Sequence, residues 1–213
     1  MEKNIKLELN TFSICARCEK TGQLGVAVSS ALPNVGEHVP YIKSGVGAIA
    51  NQAVLNPVLG SMGLLLLNEG KTAEEVLEAI ISYEDSRDFR QLGIVDNAGN
   101  SAVWTGEEIL KNENHSWAGH LKDDNVTVQG NTLKNKDTVK SMYDTFKNTE
   151  ILGLVERLMM SLVSGQECGG DKRGGDNQSA AVIIYSNKEY PLFDFRVNKH
   201  HSPVEELRKK VYG

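Results

Sequence analysis

Strands follow one another in hairpins along this chain, and helices follow one another in pairs. Residues 11–18 and 24–31 are predicted as two strands, and Gly22 lies in the short turn that connects them. Residues 91–95 and 101–104 form a second predicted hairpin, with its turn at residues 96–99. Further strands are predicted at residues 41–53, 117–122, 125–131, 179–185 and 192–197. A chain of this order can place its strands in antiparallel sheets with short connections.

The helices have recognisable start signals. Asn56 and Pro57 suit the cap and first turn of a helix over residues 57–68. Thr72 and Glu75 form a capping box for a helix over residues 72–84. Two more adjacent helices are predicted at residues 137–147 and 150–164, and a last one at residues 203–212. The segments 32–40 and 107–115 are expected to be loops.

The order of these elements predicts an α+β fold, with antiparallel sheets stacked between outer layers of helices. The chain has 213 residues, of which 40% are hydrophobic, and this is enough to bury the core of one domain. No repeat or low-complexity linker divides it. We therefore expect a single domain over residues 11–213, preceded by an N-terminal extension over residues 1–10.

Composition and charge exclude some classes of binding partner. Lys and Arg number 23 against 28 Asp and Glu, a net charge of −5, so we expect no nucleic-acid partner. The apolar stretches are too short to span a bilayer, and the charged N-terminus differs from a signal peptide. We expect a cytoplasmic protein that binds no membrane and acts on a small molecule. Association into a homo-oligomer is expected from analogy with other sheet-rich folds.

Cysteine and histidine give no metal site in this sequence. The three cysteines are an odd set, which favours reduced thiols, and Cys15 and Cys18 would point to opposite faces of a strand. His115 and His120 are poorly spaced for a joint zinc site. The sequence also has no GxSxG, GxGxxG or P-loop motif. We therefore expect neither a metal nor another cofactor.

Candidate site residues are polar side chains next to glycines or strand ends. Residues 169–185 combine a glycine-rich, charged loop with a buried strand, an arrangement typical of binding loops. Converging amides and charges could form an oxyanion or anion pocket. The candidates are Asn51, Gln52, Arg90, Gln91, Gln129, Asn131, Asp171, Arg173 and Gln178.

Several ordered segments together resemble a bacterial family of uncharacterised activity, domain of unknown function 1028. They include TFSICAR, SGVGAIANQAVLNP, RQLGIVDNAG, WAGH, VQGN and GGDKRG followed by QSAA. The resemblance runs from Thr11 nearly to the end of the chain. It implies a four-layer αββα sandwich of the kind found in N-terminal nucleophile hydrolases.

The same resemblance implies a catalytic role for Thr11, the residue that matches the nucleophile at the start of the first strand. In such hydrolases the freed α-amine acts as the base, which here requires cleavage of the bond between Asn10 and Thr11. Asp171 and Arg173 would then orient the substrate or the amine. Gln129 or Asn131 would donate to an oxyanion, and Gln52, Arg90 and Gln178 would bind substrate.

Three functions stay open at this point. The first is an amidohydrolase that cleaves the C–N bond of a small amide. The second is a binding protein for a small polar or sugar-like ligand, held by Arg90, Asp171 and Arg173. The third is a structural role in pilus assembly. An uncleaved Thr11 that simply begins a strand would favour the second or third.

Overall fold

The computed structural model describes residues 8–9, 11–112 and 116–213, and in these ranges the strands form two antiparallel sheets. The smaller sheet has the order β1-β5-β6-β7, and β4 also pairs with β5. Its strands are β1 (Glu8–Leu9), β4 (Pro40–Lys43), β5 (Gly47–Val54), β6 (Arg90–Asp96) and β7 (Ser101–Thr105).

The larger sheet has the order β11-β10-β3-β2-β9-β8. Its strands are β2 (Thr11–Arg17), β3 (Leu24–Ser30), β8 (Trp117–Asp123), β9 (Val126–Leu133), β10 (Gln178–Tyr185) and β11 (Phe193–His200). Strands β2, β3 and β10 are its centre, and nearly all of their side chains are buried.

Helices cover the outer face of each sheet. On the smaller sheet lie α2 (Pro57–Asn68) and α3 (Ala73–Tyr83), and on the larger sheet lie α5 (Asp137–Asn148), α6 (Leu154–Glu167) and α7 (Pro203–Tyr212). Short helices α1 (Val35–His38) and α4 (Glu107–Leu110) and a 3₁₀ turn (Arg87–Phe89) occupy connections.

Three separate apolar cores show that this is a four-layer αββα sandwich. One core fills the space between the two sheets, with Cys15, Val26 and Val95 among its members. A second joins the smaller sheet to its helices, and a third joins the larger sheet to its own helices. The predicted fold class is therefore confirmed.

The local start signals are also found where the sequence places them. Asn56 accepts a hydrogen bond from Val58 N at the start of α2, and Thr72 and Glu75 form the reciprocal capping box of α3. Gly22 takes φ 70° in the β2–β3 turn, a conformation that glycine adopts without steric cost. These features depend on neighbouring residues, which is why sequence reveals them.

Three local predictions were wrong. The strand predicted at residues 41–53 is two antiparallel strands, β4 and β5, because Gly45 with φ 67° reverses the chain between them. The loop expected at residues 32–40 contains α1, and the loop expected at 107–115 begins with α4. Residues 113–115, and with them the comparison of His115 with His120, lie outside the described residues.

The extension predicted over residues 1–10 is described only at Glu8 and Leu9. These two residues form β1 and pair with Val54 and Ala53 of β5. The division into an extension and a single domain stays a prediction.

Candidate functional site

Two rows of polar side chains face each other across the space between the sheets. They arise because directly opposed residues in antiparallel strands point to the same face. The row on the smaller sheet comprises the paired residues Gln52, Gln91 and Thr105. The row on the larger sheet comprises the paired residues Ser13, Gln129 and His120.

Hydrogen bonds join the two rows into one chain of donors. Gln129 Nε2 donates to Ser13 Oγ (2.7 Å), and Ser13 Oγ donates to Gln52 Oε1 (2.7 Å). Gln52 Nε2 then donates to Gln91 Oε1 (2.7 Å), which also accepts from Asn131 Nδ2 (2.9 Å). All five side chains are buried. We call Ser13, Gln52, Gln91, Gln129 and Asn131 the amide network.

The amide network ends at Thr105 and His120. Gln91 Nε2 donates to Thr105 Oγ1 (2.9 Å), so the hydroxyl hydrogen of Thr105 is available to His120 Nδ1 at 2.8 Å. Partial removal from water lowers the pKa of His120, which favours the neutral ring that accepts this hydrogen bond. The series of hydrogen-bonded side chains from Gln129 to His120 therefore carries no formal charge.

Thr11 is the first residue of β2 and lies beside this network. Period two along the strand puts its side chain on the same face as Ser13, and the residue is fully buried. Its carbonyl oxygen accepts a hydrogen bond from Gln52 Nε2 (3.4 Å). Within residues 8–9, 11–112 and 116–213 its Oγ1 has no hydrogen-bond partner, which is unusual for a buried hydroxyl and costs free energy in the folded state.

Two further oxygens in this region are buried, and neither has a hydrogen-bond partner in the part of the chain that the structure describes. They are Gln129 Oε1 and Thr127 Oγ1, both on β9. Both approach Gly93 on the opposite sheet, where an added Cβ would lie 2.3 Å from Gln129 Oε1 and 2.5 Å from Thr127 Oγ1. The backbone of β6 therefore packs closely against both oxygens, and only glycine fits at position 93.

The backbone is strained next to two residues of the network. Ala53 follows Gln52 and has φ 68°, and Thr132 follows Asn131 and has φ 55°. Residues with a Cβ rarely adopt this left-handed region, least of all β-branched ones. Such strain persists where the surroundings enforce it and is concentrated at functional sites.

Asp171 and Arg173 belong to the loop before β10 and lie next to the end of β3, close to Thr11 in the sheet. Thr11 pairs with Ser30, and the next residue, Ala31, donates its N–H to Asp171 Oδ2 (3.1 Å). Arg173 binds the same carboxylate through Nε (3.1 Å) and Nη2 (2.8 Å). The pair therefore fastens the glycine-rich loop beside the first residue of β2.

The other two predicted substrate-binding residues are engaged elsewhere. Arg90 is buried and forms an ion pair with Glu84 (3.4 Å) as well as a hydrogen bond to Val54 O. Gln178 Nε2 donates to Gly175 O (2.8 Å) and His201 O (2.7 Å) at the surface. The structure thus brings Thr11, Gln52, Gln129 and Asn131 together, with Asp171 and Arg173 at the margin.

Ser13, Thr105 and His120 are members of the site that sequence reasoning missed. Period two from Thr11 would have indicated Ser13, since both side chains lie on one face of β2. Thr105 and His120 join only through pairing between distant strands, for which the sequence has no local signal. Across residues 11–112 and 116–213, no group of three His, Cys, Asp or Glu side chains could hold a metal ion.

The sequence model described as a family of unknown function (DUF1028) matches residues 11–207. The chain belongs to this family. The resemblance identified from its sequence segments is confirmed, and the match covers the amide network, Thr11 and the loop with Asp171. Among curated proteins, no sequence matches the chain.

Solved structures include one of a DUF1028 protein from Silicibacter pomeroyi. It is similar to this chain at a TM-score of 0.83 and 26% identity, over 95% of this chain and 88% of that one. Anbu (ancestral beta-subunit) from Yersinia bercovieri matches at a TM-score of 0.43 and 14% identity, over 94% and 93%. Anbu from Hyphomicrobium sp. strain MC1 matches at 0.43 and 12% identity, also over 94% and 93%. In the described part of the chain, no helix has the length and apolarity needed to cross a membrane.

Proposed function

We propose that this DUF1028 chain is the uncleaved form of an N-terminal nucleophile amidohydrolase whose nucleophile is Thr11. The observation that carries the proposal is the position of Thr11 Oγ1. Thr11 begins a central strand and is fully buried beside a neutral network of amide side chains, and its Oγ1 has no hydrogen-bond partner among the described residues. A structural threonine at the start of a strand would be expected to use its hydroxyl in a hydrogen bond.

Cleavage between Asn10 and Thr11 would supply the missing base. As long as that peptide bond is intact, the nitrogen of Thr11 cannot take a proton at neutral pH. A free α-amine has a pKa of about 7.7 to 8.0 in model peptides and can. Cleavage would also separate β1 from Thr11, since Glu8 and Leu9 belong to the segment removed.

The reaction then follows from the groups present. The amine takes the hydroxyl proton of Thr11 as Oγ1 attacks the carbonyl carbon of a substrate amide, and it returns that proton to the leaving nitrogen. The C–N bond breaks and an ester to Thr11 remains. Water hydrolyses this ester and releases the acid. In this mechanism Asp171 and Arg173 keep the loop beside the nucleophile.

The side chains beside Thr11 favour a small, neutral substrate. The amide network contains no ionised side chain to pair with a charged substrate. By contrast, the ligand-binding alternative relies on Arg90 and Arg173, whose guanidinium groups already bind Glu84 and Asp171.

The first prediction concerns the N-terminal state and the activity that depends on it. A chain that begins at Thr11, made by removing a tag directly before it, is expected to release ammonia or amine from a panel of small neutral amides. Thr11→Val keeps the shape of the side chain without the hydroxyl, and its rate should fall at least about a thousandfold. Intact mass of the purified full-length chain shows whether it removes residues 1–10 itself.

Two results would count against this function. One is a protein whose N-terminal residue is shown by mass to be Thr11 and that hydrolyses none of the amides. The other is equal hydrolysis by the Thr11→Val variant, which would move the chemistry to another residue. Thr11→Ser serves as the positive control, because it retains a hydroxyl on the same strand.

A further inference from the structure

A polar cavity of about 270 Å³ lies at the far end of β2 from Thr11. The turn after β2, the turn between β8 and β9, and helices α5 and α6 surround it. Cys18 and Arg157 both line it. The proposed hydrolase site makes no use of either residue, so this cavity requires its own explanation.

The backbone of Cys18 is fixed by the β2–β3 turn. Its N–H donates to Gln23 O (2.8 Å), and its carbonyl oxygen accepts from Gly22 N (2.8 Å). The residue is only 7% exposed and packs against the core under α5 and α6. The backbone of Cys18 is therefore held in one place at the wall of the cavity.

Arg157 presents an unused donor in the same cavity. The residue is 8% exposed, and its Nη2 donates to Phe146 O (3.0 Å). Its guanidinium carbon lies 3.8 Å from the centroid of the Phe146 ring, a cation–π contact. Its Nε is buried and has no hydrogen-bond partner among the residues that the structure describes. A buried cation with spare hydrogen-bonding capacity favours an anion beside it.

We propose that Cys18 is a peroxide-reactive thiol whose thiolate form Arg157 stabilises within this cavity. Burial alone raises the pKa of Cys18, but hydrogen bonds from Thr21 and Lys20 and the charge of Arg157 outweigh it. The pKa therefore lies below the usual 9.0. Cys15 is the opposite case, because complete burial raises its pKa to about 12.

Other charges around the cavity largely offset one another. The further cations are Arg17, Lys20 and Lys147, and the acids are Glu19, Asp123, Asp124 and Glu150. Lys147 binds Asp123 at 3.0 Å, so neither is available to the thiol. Of these cations, Arg157 helps to lower the pKa of Cys18, whereas burial outweighs the charges of Cys18 and Glu150 and lowers the pKa of Arg157 itself.

The reaction is a two-electron oxidation of sulfur. The Cys18 thiolate attacks one oxygen of hydrogen peroxide, an S–O bond forms and the O–O bond breaks. The transferred OH remains on sulfur as the sulfenic acid of Cys18, and the hydroxide that leaves is protonated by a buffer acid. A small thiol reductant in solution returns the sulfenic acid to the thiol.

The second prediction compares Cys18 with Cys168 in the same protein. If exposure decides the rate of oxidation, Cys168 should react first; if the charge of Arg157 decides it, Cys18 should react first. Cys168 is partly exposed, whereas Cys18 is buried. Under low peroxide, followed by a sulfenic-acid trap and peptide mass spectrometry, Cys18 is expected to react at least about fivefold faster than Cys168. Cys15 should stay unmodified, which shows that the protein remains folded.

Two variants test the cause of that reactivity. Thr21→Val removes a hydroxyl from an exposed turn residue without disturbing the core, and Arg157→Met removes the charge but keeps an apolar side chain over Phe146. Each is expected to slow oxidation of Cys18 at least about threefold and leave Cys168 unchanged. The proposal is overturned if Cys168 reacts as fast as Cys18, if Cys18 does not react, or if both variants oxidise at the wild-type rate.

Discussion

Gln91 is the residue on which the amide network depends. It is fully buried in β6, and its side chain has partners on both sheets. Its Oε1 accepts from two amide groups, and its Nε2 is within hydrogen-bond distance of three oxygens. The partners are Gln52, Asn131, Thr105 Oγ1, Gly119 O and Gly130 O. No apolar side chain of similar volume can replace these bonds.

The third prediction follows for Gln91→Leu. Loss of the amide removes the hydrogen bonds that Gln91 Oε1 accepts from the buried Gln52 Nε2 and Asn131 Nδ2, so the free energy of unfolding should fall by about 3 kcal/mol. Urea denaturation measures the loss. Gln178→Leu is the matched control, since its carbonyl partners are exposed to water and the loss there should stay below about 1 kcal/mol. Equal losses for the two variants would contradict a stabilising role for the network.

At the scale of the elements, Glu84 connects the end of α3 with the start of α2 and the start of β6. It follows α3 directly, and its carboxylate accepts from Asn56 Nδ2 (2.6 Å), which caps α2, and from Ser86 N (2.9 Å). It also pairs with Arg90 at the start of β6 (3.4 Å). Burial alone would raise the pKa of Glu84, but these hydrogen bonds and the Arg90 charge outweigh it and lower the pKa.

The fourth prediction is the pH dependence of Glu84→Gln. Because the folded-state pKa lies below the ordinary value of 4.5, the ionised form stabilises the fold fully above that value. At pH 7 the variant should lose about 2 kcal/mol of unfolding free energy. The difference should shrink as the pH falls through the lowered pKa, because the wild type then loses its charge as well.

Glu78→Gln is the control, because Glu78 is exposed, and it should differ from wild type by less than about 0.5 kcal/mol at every pH. A pH-independent difference for Glu84→Gln would contradict the charge-based account.

At the scale of the whole molecule, sequence predicted the layers better than the site. Capping boxes, hairpin turns and apolar periodicity are local, so the Thr72 capping box and antiparallel sheets with helices on their outer faces could be predicted from them. The four-layer αββα arrangement was implied by the family resemblance. The amide network depends on which distant strands pair and in which register, as with Gln91 opposite Gln52. Its residues therefore appeared in the sequence as isolated strand-end amides. The pairing of Arg173 with Asp171 likewise appears only when the loop is folded.

The three cores share strands, so the layers should not unfold one at a time. On β2, Phe12 and Ile14 belong to the core under α5 and α6, while Cys15 belongs to the core between the sheets. On β5, Ala48 and Ala50 face the core between the sheets, while Ile49 faces α2 and α3. Disruption of one core therefore removes support from the next.

The fifth prediction tests this coupling with the two tryptophans. Trp104 on β7 packs against the core of the smaller sheet, and Trp117 on β8 packs against the outer core of the larger sheet. Ile80→Ala creates a cavity in the first of these cores and should cost about 2 to 5 kcal/mol. Trp117 is followed alone in a Trp104→Phe background, and Trp104 is followed alone in a Trp117→Phe background. In each background, Ile80→Ala is compared with the same protein without that substitution, and we expect the urea midpoint to fall by the same amount. If only the Trp104 signal shifts, the two halves unfold independently and the single-domain prediction for residues 11–213 is wrong.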